Sequence, residues 1–135
     1  MKSSSSTLKV FVYGTLKPGK INYQRYCKGK VQSEISAIAR GILYSLPIGY
    51  PAMTEGEGKV RGFILSFNNS KILDSLDRLE GYQANRESSL NEYYRRMVAI
   101  YNLEDEYLDK AWAYFMTPAK VKQYQGSIIK SGNWA

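Results

Sequence analysis

Two places in the chain carry residues that could do chemistry. The first is Tyr13-Gly14-Thr15-Leu16-Lys17-Pro18-Gly19-Lys20, where the apolar run Val10-Phe11-Val12 breaks into a loop punctuated by Gly and Pro. Such a junction leaves backbone N–H groups unpaired and close to whatever binds there. The spacing Gly14-x-x-x-x-Gly19-Lys20 is almost that of a phosphate-binding loop. Its details argue against that use. Ile21 stands where Ser or Thr would hold magnesium, and Pro18 removes one backbone donor from the cradle. A chain of 135 residues with few helical stretches also has little room for the alternating parallel sheet such loops serve. What remains is a loop with free donors whose ligand is unspecified.

The second place follows from an absence. The chain has no histidine, which removes imidazole acid–base chemistry, His-based metal sites and the usual serine or cysteine triads. A proton carrier near neutral pH must then be a carboxylate, a lysine or a tyrosine, and a carboxylate needs burial to raise its pKa. Among the twelve acids, Glu80 stands apart. In Leu76-Asp77-Arg78-Leu79-Glu80-Gly81-Tyr82 it lies one position from Leu79 and four from Leu76, bordering a helix's apolar stripe. It also ends that helix, where the macrodipole disfavours negative charge, and Gly81 lets the backbone turn sharply beside it. Burial and the helix end both push its pKa upward. Two roles stay open on these residues alone: a base, or a capping or salt-bridged glutamate. Asp74, on a polar face, and Asp77, in reach of Arg78 or Lys71, look ordinary. The single cysteine, Cys27, excludes an internal disulfide and a cysteine-rich zinc site, and reads as a structural thiol in a reducing, cytoplasmic setting.

Charge is unevenly spread. Residues 1–33 hold seven Lys or Arg and no acid, so the whole net charge of +7 sits at the end that carries the loop. This is a nucleic-acid patch, a solvated basic surface, or a field that draws small carboxylate ligands toward the loop. No aromatic-interleaved RNA motif accompanies the lysines, so nucleic acid is not the expected partner. No apolar run is long enough to span a membrane. Met1-Lys2-Ser3-Ser4-Ser5-Ser6 has no apolar core of a secretory signal; residues 1–7 are expected to be a disordered tail and 8–135 a single domain.

The elements that must position these residues form an α+β pattern. Strands are expected over 8–13, 60–67, 94–103 and 111–116, with a long extended stretch over 31–46 that bends or bulges at Gly41. A short helix is expected over 21–28. Pro47-Ile48-Gly49-Tyr50-Pro51 is turn chemistry. Ile72, Leu73, Leu76 and Leu79 recur at helical spacing, giving an amphipathic helix over 71–80 with cap residues in Asn68-Asn69-Ser70 and a stop at Gly81. Glu104-Asp105-Glu106 turns one late strand into the next. Strands outnumber helices and connections are short, so a small, curved or closed mixed sheet with a helix or two against it is the expected architecture.

Taken in order, Tyr13-Gly14-Thr15-Leu16-x-Pro18-Gly19, Asn22, Gly41-x-Leu43-Tyr44, Tyr50-Pro51-Ala52, Val60-x-Gly62, Leu76-Asp77-x-x-Glu80-Gly81-Tyr82, Tyr94-x-Arg96, Ala113-Tyr114 and Ser131-Gly132-x-Trp134 resemble the gamma-glutamylcyclotransferase-like superfamily, in its short AIG2-like branch. The resemblance covers nearly the whole chain. It implies a small mixed β-barrel with flanking helices and a pocket at one end. It also implies that Tyr13, Gly14, Thr15 and Leu16 receive the α-carboxylate of a γ-glutamyl group, with Glu80 as the catalytic acid/base. The implied reaction is attack of the substrate's α-amine on its own γ-carbonyl, giving 5-oxoproline and an amine or amino acid. It calls for no metal and no cofactor. Tyr50, Tyr94 and Tyr114 are the candidates to complete the pocket, barrel packing being the competing role of the two strand tyrosines. Arg96 is expected to pair with an acid, and Trp134 to anchor the C-terminal segment. The alternative is a catalytically silent ligand-binding or interaction module on the same fold.

Overall fold

The computed structural model describes residues 7–87 and 90–134; the tail expected over 1–7 lies almost wholly outside them. Six strands form one curled mixed sheet, in the order β3-β1-β5-β4-β2-β6. They are β1 (Leu8–Val12), β2 (Val31–Ser45), β3 (Pro51–Phe67), β4 (Tyr94–Tyr101), β5 (Tyr107–Phe115) and β6 (Ser127–Ile128). The pairing of β2 with β3 closes the first five into a ring. Only β1 and β5 run parallel; every other pair is antiparallel.

Closure explains why β1 is apolar from Val10 to Val12. Successive strand residues face opposite sides, and here both sides are buried. Phe11 joins Ala37, Ala39, Ile64, Ile100, Ala111 and Ala113 in a core shared by five strands. Val10 and Val12 face the other way, onto Leu65, Phe67, Ile72 and Leu76. The small alanines let the narrow interior close.

The second core is covered by α1 (Ile72–Leu79), whose Ile72 and Leu76 are buried and whose Leu73 and Leu79 pack at its border. Its entry differs from expectation. Lys71 occupies the cap position without a side-chain bond, and Asn69 acts earlier, its Oδ1 accepting the Lys71 N–H at 2.9 Å. At the other end Gly81 takes φ +68°, as the sharp turn requires.

The long hairpin of β2 and β3 shifts register between Arg40 and Ile42, at Gly41. Its second arm begins at Pro51, nine residues before the strand expected over 60–67. The helix expected over 21–28 contains a π-helical turn, Tyr23–Cys27, in which the Lys28 N–H reaches the Tyr23 carbonyl at 2.9 Å. Cys27 is buried there, and burial lifts its thiol to about 11. Such a thiol is inert at neutral pH. A second helix, α2 (Pro118–Gln123), and β6 complete the chain. Among the described residues no helix is long and apolar enough to cross a membrane.

Candidate active site

The loop after β1 is built by short internal bonds. The Lys17 N–H returns to the Gly14 carbonyl at 3.0 Å, and the N–H groups of Asn22 and Tyr23 reach the Thr15 carbonyl at 3.0 and 3.2 Å. Asn22 also donates from Nδ2 to Thr15 Oγ1 at 2.8 Å. This curl leaves the N–H groups of Gly14, Thr15 and Leu16 without a backbone acceptor among the described residues outside the strand ladders. Unused donors beside a cavity are what an anion needs.

A cavity of about 180 Å³ lies against them. Tyr13, Gly14, Thr15 and Leu16 line one part of it, and Glu80, Tyr50 and Tyr114 line it as well. The structure thus gathers seven of the eight residues singled out in the sequence. Tyr94 is not brought in. Its hydroxyl donates to Glu55 at 2.6 Å and its ring stacks on Phe115, and it is not among the residues that line this cavity. The preceding residue, Tyr93, takes that place, with its hydroxyl on the Pro51 carbonyl at 2.8 Å. Neighbouring residues in extended chain point to opposite sides, which is why a shift of one position exchanges their roles.

Glu80 is half-buried in this wall. Among the described residues no donor hydrogen-bonds its carboxylate, and none of the salt bridges includes it. Glu80 does occupy the C-cap position of α1, its backbone N–H bonding the Leu76 carbonyl at 2.9 Å, but that leaves its carboxylate free, and the salt-bridged reading finds no partner among the described residues. Removal from water comes first in raising its pKa, to about 8 from the ordinary 4.5; the negative charges of Glu92 and Asp77 add to it. A carboxylate poised near 8 can take a proton and give it back at physiological pH.

Asp77 is not paired with Arg78 or Lys71. Its oxygens receive Arg95 Nε at 2.8 Å and Arg95 Nη2 at 3.2 Å, and the Tyr114 hydroxyl at 2.6 Å. The Arg95 guanidinium lies over the rings of Trp112 and Tyr82, at 4.3 and 5.2 Å. A chain of contacts thus runs from α1 to the loop: the Tyr114 carbonyl accepts the Tyr13 hydroxyl at 2.9 Å, and that hydroxyl accepts the Met53 N–H at 3.2 Å. Tyr13 and Tyr114 spend their hydroxyls on this framework, and burial pushes both pKa values up. Arg96 pairs with Glu55.

Glu92 is the lining acid that sequence reasoning missed. Its backbone N–H meets the Gly81 carbonyl at 3.1 Å and the Tyr93 N–H meets the Glu80 carbonyl at 3.2 Å, which sets the two acids on adjoining chain segments. Tyr50 donates to Glu92 Oε2 at 3.1 Å and Tyr124 to Oε1 at 2.7 Å. Burial and this bond lift the Tyr50 hydroxyl to about 12, so it remains a donor. The basic residues of the loop turn elsewhere. Lys17 Nζ bonds Asn133 Oδ1 at 3.3 Å and the Trp134 carbonyl, and Lys20 lies over the Trp134 ring. No group of three or more His, Cys, Asp or Glu suited to a metal occurs among the described residues.

No curated protein matches the chain. Among solved structures it is similar to an AIG2-like protein from Mus musculus, at 17% identity over 96% of this chain and 89% of that one, with a TM-score of 0.68. It is similar to YkqA from Bacillus subtilis, at 21% identity over 95% of this chain, with a TM-score of 0.65, and spans 39% of that protein's length. A third likeness is to At5g39720.1 from Arabidopsis thaliana, at 25% identity over 82% of this chain and 69% of that one, with a TM-score of 0.63. The family model described as gamma-glutamyl cyclotransferase, AIG2-like, matches residues 10–135. The chain belongs to the AIG2-like gamma-glutamyl cyclotransferase family.

Proposed function

We propose that the protein is a γ-glutamyl cyclotransferase that works without a cofactor and uses Glu80 as its acid/base. The observation that carries this reading is the unpaired Glu80 carboxylate, half-buried in a cavity that is also lined by the loop with free N–H groups. The substrate α-carboxylate sits on the N–H groups of Gly14, Thr15 and Leu16, and the α-ammonium lies beside Glu80. Glu80 takes one proton from the ammonium. The freed amine attacks the γ-carbonyl carbon, forming the ring C–N bond and a tetrahedral oxyanion. Glu80 returns the proton to the leaving nitrogen as its C–N bond breaks, and the second proton, left on the ring nitrogen by the attack, passes by the same carboxylate to the departing amine, so that 5-oxoproline and an ammonium are released. The nucleophile belongs to the substrate, so the protein contributes folding of the chain into a ring-closing pose and proton transfer.

The test is a panel of γ-glutamyl amines and dipeptides assayed for 5-oxoproline with wild type and Glu80→Gln. Glu80→Gln keeps the shape and removes the base, and a loss of about 10²–10⁴-fold in kcat is expected. Equal turnover by the two proteins would refute the mechanism. No turnover on any compound, with binding retained, would instead identify a ligand-binding module.

A further inference from the structure

The cavity has one more negative group than a γ-glutamyl substrate uses. A γ-glutamyl group carries a carboxylate, met by loop N–H groups, and an ammonium, met by Glu80. Glu92 is left over. Among the described residues no lysine or arginine lines the cavity, and the loop's own lysines are committed to the C-terminal segment. The protein is strongly basic as a whole, yet this cavity is acidic.

Glu92 is also held as a receptor rather than as half of an ion pair. Each of its oxygens accepts one tyrosine hydroxyl, from Tyr50 and Tyr124, and each keeps a lone pair. Neither partner cancels its charge. The backbone bonds of Glu92 and Tyr93 to Gly81 and Glu80 fix it beside Glu80, the residue that protonates the leaving nitrogen in the mechanism above.

We infer that Glu92 is a recognition residue for a second ammonium group on the leaving amine, so that the preferred substrates are γ-glutamyl conjugates of diamines or polyamines. The inference rests on the γ-glutamyl reading given above and assigns the class of amine. A plain alkylamine leaves Glu92 unmatched, and an amino-acid leaving group brings a carboxylate toward it. Like charges there disfavour the latter.

The experiment compares three conjugates: γ-glutamyl-1,4-diaminobutane, γ-glutamyl-n-pentylamine as its uncharged near-isostere, and γ-glutamyl-alanine. Wild type is expected to prefer the diamine conjugate over the alkylamine by about ten-fold in kcat/KM, the scale of one partly buried ion pair. The preference should shrink as salt is raised. Glu92→Gln should reduce the ratio to near one, and Glu92→Asp should keep most of it. The ratio is the readout because Glu92 also faces Glu80 and its loss alters turnover of every substrate. A wild-type ratio near one, or a ratio that survives in Glu92→Gln, overturns the proposal. If no conjugate yields 5-oxoproline, the cyclotransferase reading fails separately. The same ratio is then read from calorimetric Kd values, where equal affinities or no binding of the diamine conjugate also overturns it.

Discussion

At the scale of single residues, Glu80 dominates because its charge is costly where it sits. Its folded pKa of about 8 lies above the ordinary 4.5, so between those values the folded protein holds a proton that the unfolded chain releases. Its contribution to stability is therefore fully present below about 4.5 and is lost as pH rises through about 8. Glu80→Gln cannot ionise. Its Tm relative to wild type should climb steadily from acidic buffer to pH about 9, by several degrees, and a pH-independent difference would contradict the burial of the charge. Catalysis gives the complementary signature. With Glu80 as base, kcat/KM should fall on the acid side with an apparent pKa of about 8, that of the free enzyme. The limb in kcat should lie lower, because a bound ammonium favours the ionised carboxylate. Coincident limbs would place the substrate ammonium away from Glu80.

Elements set where Glu80 points, and the Asp77–Arg95 pair is the clamp between α1 and β4. Both side chains are largely buried, at 16% and 18% exposure, so removing one leaves the other costly. Arg95→Gln is expected to lose about 2–4 kcal/mol in denaturant unfolding, at or below the range for a broken buried pair. It also leaves Asp77 as an uncompensated charge near Glu80, so the acid limb should move up. Asp77→Asn removes that charge, and the limb should move down; shifts of the same sign would show that the clamp acts only by holding the helix. Helix α1 and the loop after β1 are legible in the sequence because both are local: a 3.6-residue apolar period ended by glycine, and an apolar run broken by Gly and Pro. The wall beside Glu80 is not. Glu92 and Tyr93 reach it through backbone bonds to Glu80 and Gly81, a pairing that no periodicity announces. The first half of β3 hides for a similar reason. Pro51, Gly56 and Gly58 are poor strand formers; the partner β2 pairs Pro51–Thr54, while Gly56 and Gly58 fall in the register shift before Lys59. Thr117-Pro118 did carry a readable signal for α2, a cap residue with proline at the first helical position.

At the scale of the molecule, the C-terminal segment ties the ring of strands to the loop after β1. The Arg61 N–H bonds the Gly132 carbonyl at 2.7 Å and the Ile129 N–H bonds the Leu43 carbonyl at 2.8 Å, laying the segment along the β2–β3 hairpin. Asn133 and Trp134 then hold Lys17, in the loop after β1. Lys17 itself is almost fully buried, and burial followed by the nearby Lys20 lowers its pKa. The hinge of this arrangement is Gly132, which takes φ +72° and passes so close to the Lys59 carbonyl oxygen that a Cβ would collide with it. Gly132→Ala should therefore cost about 2–4 kcal/mol, combining left-handed strain with the displaced contact. Gly29→Ala is the control: it shares a positive φ, +82°, but has open space around it, and should cost only about 1 kcal/mol. Because the segment seats the loop and not Glu80, Gly132→Ala should raise KM several-fold while leaving the acid limb of kcat in place. If KM in the two variants changes alike, or the acid limb moves with Gly132→Ala, the segment is not what seats the loop. The basic end of the chain would then serve the surface alone, and the loop after β1 would owe its shape to Asn22 and Thr15.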